Sequence, residues 1–177
     1  LDICKPSDKI YLSSGVHKIN FLEYFFDNGL IYGLGDQHGS NNNTNLVAIY
    51  SPDDNSNLLI FDGDFRLENI VLNCQNIRTG LLVKHGNVTL KNCKLIGNGK
   101  SSVQQGILCC GNASINMENC IFENFATGIT LKNNSSLTLK NTTIAHTNVG
   151  LEVSESSKIK FEDAIFQNCE KSAIFHN

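Results

Sequence analysis

Residues 90–95 read LKNCKL, and the same pattern returns as LENIVL at 67–72, MENCIF at 117–122, LKNTTI at 139–144 and FEDAIF at 161–166. Each copy runs apolar, charged, Asn or Asp, small or apolar, variable, apolar. The intervals between anchors are 23, 27, 22 and 22 residues, far longer than a heptad and too regular for chance. Self-similarity at this period identifies stacked supersecondary units, each of which buries its apolar face only against its neighbours.

Around each copy the apolar residues alternate with polar ones, as in Val88 and Leu90, Ile115 and Met117, Leu137 and Leu139, and Ile159 and Phe161. A period of two is that of a strand. A second strand-like segment opens on glycine: Gly80-Leu-Leu-Val83, Gly106-Ile-Leu-Cys109, Gly128-Ile-Thr-Leu131 and Gly150-Leu-Glu-Val153, with Ser172-Ala-Ile-Phe175 as a looser copy. No helical pattern and no two-residue hairpin turn joins one copy to the next. The reading is all-β: a single-stranded parallel β-helix of about six circuits, each lying ~4.8 Å above the last. The repeat is regular over 30–177, and 1–29, including INFLEYFFDNG, reads as an N-terminal cap and lead-in.

Stacking places Asn69, Asn92, Asn119, Asn141 and Asp163 in one column. Asn is the residue other than Gly that best tolerates a left-handed bend, and aligned Asn amides can bond along a stack. The column is therefore expected to form a ladder that specifies register, with Asn141 held inside a turn where a glycan would not fit. Ile70, Cys93, Cys120, Thr142 and Ala164 follow the ladder and are expected to face inward, with the cysteines acting as small hydrophobes. Glu68, Lys91, Glu118, Lys140 and Glu162 precede it, and their alternating sign predicts an axial stack of ion pairs on the outside.

The bulk properties exclude several classes. Net charge is −3 and the 14 Lys and Arg are scattered, so the basic stripe that nucleic acid requires is missing. No apolar run approaches the ~20 residues that span a bilayer, so no transmembrane segment is expected. The chain starts at Leu1 and its one methionine is the internal Met117, as in a piece of a longer polypeptide. The seven cysteines are odd in number, which favours free thiols, a reducing compartment and the cytoplasm. The six sequons at Asn42, Asn87, Asn112, Asn133, Asn134 and Asn141 argue the other way, and the repeat is read as outweighing them. No CxxC pair occurs, and His85 and His146 lack matched cysteines, so no metal site and no cofactor is expected.

The first third is less regular. Residues 33–45, GLGDQHGSNNNTN, read as a polar surface loop, because Gly33-x-Gly35 lacks the further glycines, lysine and helix of a phosphate-binding turn. All four tyrosines, at 11, 24, 32 and 50, fall here. They can offer a stacking surface for a sugar or peptide, with Tyr32, Asp36, His38 and Tyr50 as the candidate ligand surface; packing against the end of the core is the simpler use. Glycoside hydrolysis needs two converging carboxyls. Asp53 with Asp54, and Asp62 with Asp64, are the pairs available, and both sit in turn-like contexts. Arg66 and Arg78 are the only arginines and mark no proton-abstracting centre. No nucleophile elbow appears, so no catalytic residue is expected.

The run FDGDFRLENIVLNC, TGLLVKHGNVTLKNCKLIGNG, GILCCGNASINMENCIFEN and TGITLKNNSSLTLKNTTI resembles the pectate-lyase-like repeats of the nessun dorma and Shc-binding protein family, over roughly residues 30–177. The resemblance implies a right-handed coil and a non-catalytic cytokinesis factor associating with centralspindlin, a kinesin with a Rho-family GAP. It also implies a place at the midbody, cleavage furrow or ring canal, and glycans as a ligand class for the coil surface. The alternative is a carbohydrate-active β-helix of the lyase or hydrolase kind, which shares these repeats. The resemblance assigns no residue as a binding contact.

Overall fold

The computed structural model describes residues 8–18, 23–26, 29–34, 47–51, 57–99, 104–154 and 156–176, with only the backbone of 23–26. Its strands follow one another around a coil. The first circuit contains β1 (Lys9–Leu12), β2 (Gly15–Lys18) and β3 (Glu23–Phe26). The second contains β4 (Gly29–Gly33), β5 (Val47–Tyr50) and β6 (Asn57–Asp62), and the third β7 (Phe65–Glu68), β8 (Val71–Asn73) and β9 (Thr79–His85). The fourth has β10 (Asn87–Lys91), β11 (Lys94–Ile96) and β12 (Gln105–Cys109), and the fifth β13 (Ser114–Glu118), β14 (Ile121–Glu123) and β15 (Thr127–Leu131). The last two are β16 (Ser136–Lys140), β17 (Thr143–Ala145) and β18 (Val149–Val153), then β19 (Lys158–Glu162), β20 (Ile165–Gln167) and β21 (Lys171–Phe175).

Every third strand joins the same sheet, giving three parallel seven-stranded sheets: A from β1 to β19, B from β2 to β20 and C from β3 to β21. Six rises thus separate the first strand of each sheet from the seventh. The coil starts earlier than the sequence pattern indicates. β1, β2 and β3, within the segment expected to cap it, already pair with β4, β5 and β6, with Ile10 and Leu12 of β1 aligned on Ile31 and Gly33 of β4. The repeat is faint there because the first corner turns on Gly15, at φ 133°, where later corners use Asn.

The corner between sheets A and B explains the quoted motif. Asn69, Asn92, Asn119, Asn141 and Asp163 all have φ between 45° and 59°. A left-handed residue resets the in–out alternation, so that Leu90 before it and Cys93 after it are both buried, as are Met117 with Cys120 and Leu139 with Thr142. The backbone amide of each corner Asn then bonds the next circuit: Asn92 N donates to Glu118 O at 3.0 Å and Asn141 N to Glu162 O at 2.8 Å.

Of the five expected positions, side-chain bonds join only Asn69, Asn92 and Asn119, and this ladder lies outside. Asn92 Nδ2 donates to Asn69 Oδ1 at 2.9 Å and Asn119 Nδ2 to Asn92 Oδ1 at 3.1 Å, while Asn92, Asn119 and Asn141 are exposed. Asn141 is therefore not enclosed in a turn as expected, because its left-handed backbone lets its side chain and that of Lys140 both stay outward while Thr142 turns into the core. Register is held mainly by backbone bonds and the inward columns. The small residue after each Asn has a polar task that a simple hydrophobe lacks: Cys93 Sγ, Cys120 Sγ and Thr142 Oγ1 donate to the carbonyls of Lys91, Glu118 and Lys140 at 3.3, 3.4 and 2.9 Å.

The core is one shaft of inward columns. Leu67, Leu90, Met117 and Leu139 form one column, Leu72, Leu95, Phe122 and Ile144 another, and Leu81, Ile107, Ile129 and Leu151 a third. All twelve are at most 1% exposed. Sheet C packs too closely at its glycines to admit a side chain: a Cβ on Gly106 would lie 2.5 Å from Gly128 O and 3.2 Å from the Phe122 ring. Irregular intervals have local causes. The shift between β6 and β9 at Phe61/Asp62 adds one residue to a 22-residue circuit. The 27-residue circuit carries its five extra residues between Ile96 and Gln105. There Gln104 clamps the neck of the excursion, donating to Cys74 O and Ile77 O at 2.6 Å each and accepting from Asn98 N at 2.6 Å.

Asn92→Ala should destabilise the coil by about 2 kcal/mol in urea unfolding, from the left-handed backbone plus two exposed amide bonds, and Asn92→Gly by less than half of that. Gly106→Ala should cost about 3 kcal/mol, because the new methyl meets backbone that cannot move without breaking the next rung.

Candidate functional site

Among the described residues the shaft leaves no room for a reacting centre, so the candidate sites are on the outer faces. Tyr32 lies on sheet A beside Tyr11 of the circuit below, with ring centroids 6.1 Å apart and planes tilted by 56°. Tyr11 is 55% exposed. Tyr50 lies on sheet B, between Lys18 and Asn73 of adjacent circuits. The structure thus does not gather Tyr32 and Tyr50 on one face, and it supplies Tyr11 as the companion of Tyr32. The signal for that pair is the register Tyr11↔Tyr32, invisible until 1–29 is recognised as a circuit. Asp36 and His38 lie outside the described residues, as do Asp53, Asp54, Cys4 and Asn42.

Beyond the tyrosines the outer face of sheet A is flat and finely polar. Thr89, Asn116 and Thr138 form its middle column, beside Asn87, Ser114 and Ser136 on one flank and Lys91, Glu118 and Lys140 on the other. Along the first flank, Asp64 Oδ1 accepts from Asn87 N at 2.7 Å and Asn87 Nδ2 at 3.1 Å, and Ser114 Oγ donates to Asn87 Oδ1. On the other, Glu118 takes Lys91 at 3.5 Å and Lys140 at 3.3 Å.

The expected ion-pair stack is complete only in this middle section. Glu68 pairs with Arg66 and Glu162 with Lys160, each two residues back on its own strand. A same-strand partner on the same face is as near as the next rung and competes with it. The Lys140 ammonium, first by hydrogen bond and then by charge, holds the Glu118 carboxyl below the usual carboxylate range, with Lys91 adding to it.

The carboxylates considered for catalysis are bound into neighbouring circuits. Asp62 Oδ1 is 2.7 Å from His85 Nδ1, Asp64 holds Asn87 as above, and the two carboxylates serve different partners on either side of Gly63. A similar pair joins His176 to Glu152 at 2.9 Å. Among the described residues no three His, Cys, Asp or Glu side chains gather as a metal site, and no helix is long and apolar enough to cross a membrane.

The six described cysteines are free. Burial pushes the Cys74 and Cys109 thiols up to about 12, and a bond with Cys120 followed by burial raises that of Cys93. Cys110 is half-buried on the outer side of sheet C, and burial raises its thiol against the pull of Lys84 and Lys132. Five sequon asparagines, 87, 112, 133, 134 and 141, are exposed, so steric exclusion does not remove them as the sequence reading supposed.

Three parallel sheets wound once per repeat around a filled shaft define a β-helix, and the right-handed β-helix region family matches residues 31–177. The chain belongs to that family. It is also similar to Protein nessun dorma of Drosophila melanogaster, with 37% identity over 176 residues, covering 96% of this chain and 29% of that protein. The resemblance drawn from the repeats is thus matched along nearly the whole chain, which spans under a third of the relative's length.

Two measurements check this surface. Lys140→Met should move the Glu118 carboxyl resonance titration upward in NMR by more than Lys91→Met does. The depressed folded value means that the stabilisation from Glu118 is present above the ordinary carboxylate range and lost as pH falls through its own. In native protein a charged thiol reagent should label Cys110 among the described cysteines well before Cys74, Cys93, Cys109 and Cys120, which should react only on unfolding.

Proposed function

We propose that this chain is a non-enzymatic β-helix interaction module of a cytokinesis scaffold, associating with centralspindlin in the cytoplasm at the midbody, cleavage furrow or ring canal. The observation that carries the reading is the use of the outer carboxylates: Asp62, Asp64 and Glu118 are each engaged by the circuit above them. A lyase or hydrolase needs such groups free to converge on substrate. The similarity to nessun dorma supports the family resemblance from which the partner class is taken, and six free thiols suit a reducing compartment.

A rigid sheet face offers a partner a fixed grid of side chains at little entropic cost, since nothing in it must be ordered on binding. A second reading, glycan binding on the same face, is favoured by the pairing of exposed Tyr11 with half-buried Tyr32, because aromatic rings beside short polar side chains are a common floor for sugars.

The test is capture of recombinant centralspindlin subunits by the chain with its native flanking regions in place. Retention is expected, and its absence would reject the scaffold role. A glycan array with wild type and the Tyr11→Ala/Tyr32→Ala variant, alongside assays for new reducing ends and unsaturated products, separates the rest. Binding lost in the variant without product would support the glycan face, and product formation would overturn the non-enzymatic reading.

A further inference from the structure

Sheets A and B differ in what they turn outward. In sheet A, Ser114–Glu118 and Ser136–Lys140 alternate, apolar to the core and polar to solvent. The strands of sheet B carry apolar residues on both sides, as in VAIY at 47–50, KLI at 94–96 and IFE at 121–123. Register aligns Ala48, Val71 and Ile121 in one outward column and Tyr50 and Ile96 in the next. Ile121 is 42% exposed and the other four are half-buried. Each has a described circuit above and below it. Lys94 and Glu123 are the only charges in these two columns from the second circuit to the sixth, and they neutralise each other at 2.7 Å.

The chemistry of this strip selects its occupant. Parallel strands that are apolar on both sides are those of sheets covered on both faces, and helices are the usual cover. A sheet face offers no free backbone groups, because its N–H and C=O are spent within the sheet. An extended peptide lying on it leaves its own backbone unpaired, whereas a helix satisfies its own. With Lys94 and Glu123 paired to each other, the strip has no net charge to match, so a charge on the buried side of the occupant would go uncompensated.

The dimensions agree. Strands of three residues make the strip ~10 Å wide, and five circuits make it ~24 Å tall. That is the diameter of one α-helix and the length of about 16 helical residues. A footprint of about 240 Å² falls well short of the ~800 Å² per partner that a stable face-to-face pair of coils needs. Uncharged amides border the strip, with exposed Asn92 and Asn119 along one corner and exposed Asn98 and half-buried Asn124 along the other. An apolar centre inside a polar margin is the anatomy of a protein interface.

We propose that the outer face of sheet B, centred on Val71, Ile96 and Ile121, is the docking strip for one amphipathic α-helix of a partner protein, laid along the coil axis with an uncharged apolar stripe inward. That the helix comes from a partner protein rests on the reading of this chain as an interaction module; the face and the helical occupant do not.

Two displayed libraries of peptides about 18 residues long test this, one apolar at i, i+3, i+4 and i+7 and the other alternating apolar and polar, both selected on the wild-type chain. Helix-patterned peptides are expected to enrich. Ile96→Lys, and separately Ile121→Lys, should weaken the selected peptide roughly tenfold or more, while Thr89→Lys on the outer face of sheet A changes it less than about twofold. A proline at the centre of the peptide should abolish binding, and circular-dichroism melts confirm that each variant folds. In wild type, the methyl resonances of Val71, Ile96 and Ile121 should shift as the peptide is titrated. Enrichment of alternating peptides alone overturns the proposal, as does binding that both lysine variants leave intact. A wild-type dimer that Ile121→Lys dissociates overturns it in favour of a second copy. Loss of peptide binding when the native flanking regions are restored overturns it in favour of cover by the same polypeptide. Peptide binding at the strip without retention of centralspindlin rejects the proposed function alone, whereas retention unchanged by both lysine variants, with no peptide enriched, rejects the docking strip alone.

Discussion

A left-handed residue at the corner between sheets A and B is the constraint on which the rest depends. An L-residue at positive φ costs ~1–2 kcal/mol unless it is Gly or, with less penalty, Asn or Asp, and this chain accepts that cost once per circuit from Asn69 to Asp163. In return the residue two before it and the residue after it both face the shaft, so a bend that would otherwise turn one of them to solvent keeps both buried. The two strands around the corner then share one core, and each circuit matches the one below it.

Backbone pairing between circuits follows. Once Asn92 N reaches Glu118 O and Asn119 N reaches Lys140 O, the inward columns are aligned and their apolar surface is buried with its neighbours above and below. Thiols and a hydroxyl at Cys93, Cys120 and Thr142 answer carbonyls at the bend. The polar requirement of a corner is thereby met from within the core, where a larger side chain would not fit.

Much of this was legible because period and physics coincide. The Asn column, the inward columns and the glycine-led strands recur at fixed intervals, and a fixed interval in a stacked fold is position. The first circuit was missed because its corner uses Gly15, leaving no Asn to align. A second left-handed column, Asn124, His146 and Asn168, shares the 22-residue interval but not a residue type, and only the interval could have revealed it. The outer-face pairing was half legible: the alternating charges fixed the rung, yet Arg66 and Lys160, two residues from their glutamates, compete in a way that a column read alone cannot weigh. The candidate surface was the least legible part. Tyr32 and Tyr50 are close in sequence and lie on different sheets, because an outer face is composed by register between circuits.

The excursion between Ile96 and Gln105 has a wider meaning for how such a chain changes over time. Gln104 anchors the chain just before β12, while the strands before and after keep their alignment with both neighbours. Lengthening or replacing that segment alters the relief at one height of the shaft and nothing elsewhere. Novel contacts can be trialled there, one level at a time, on a body whose architecture is already settled.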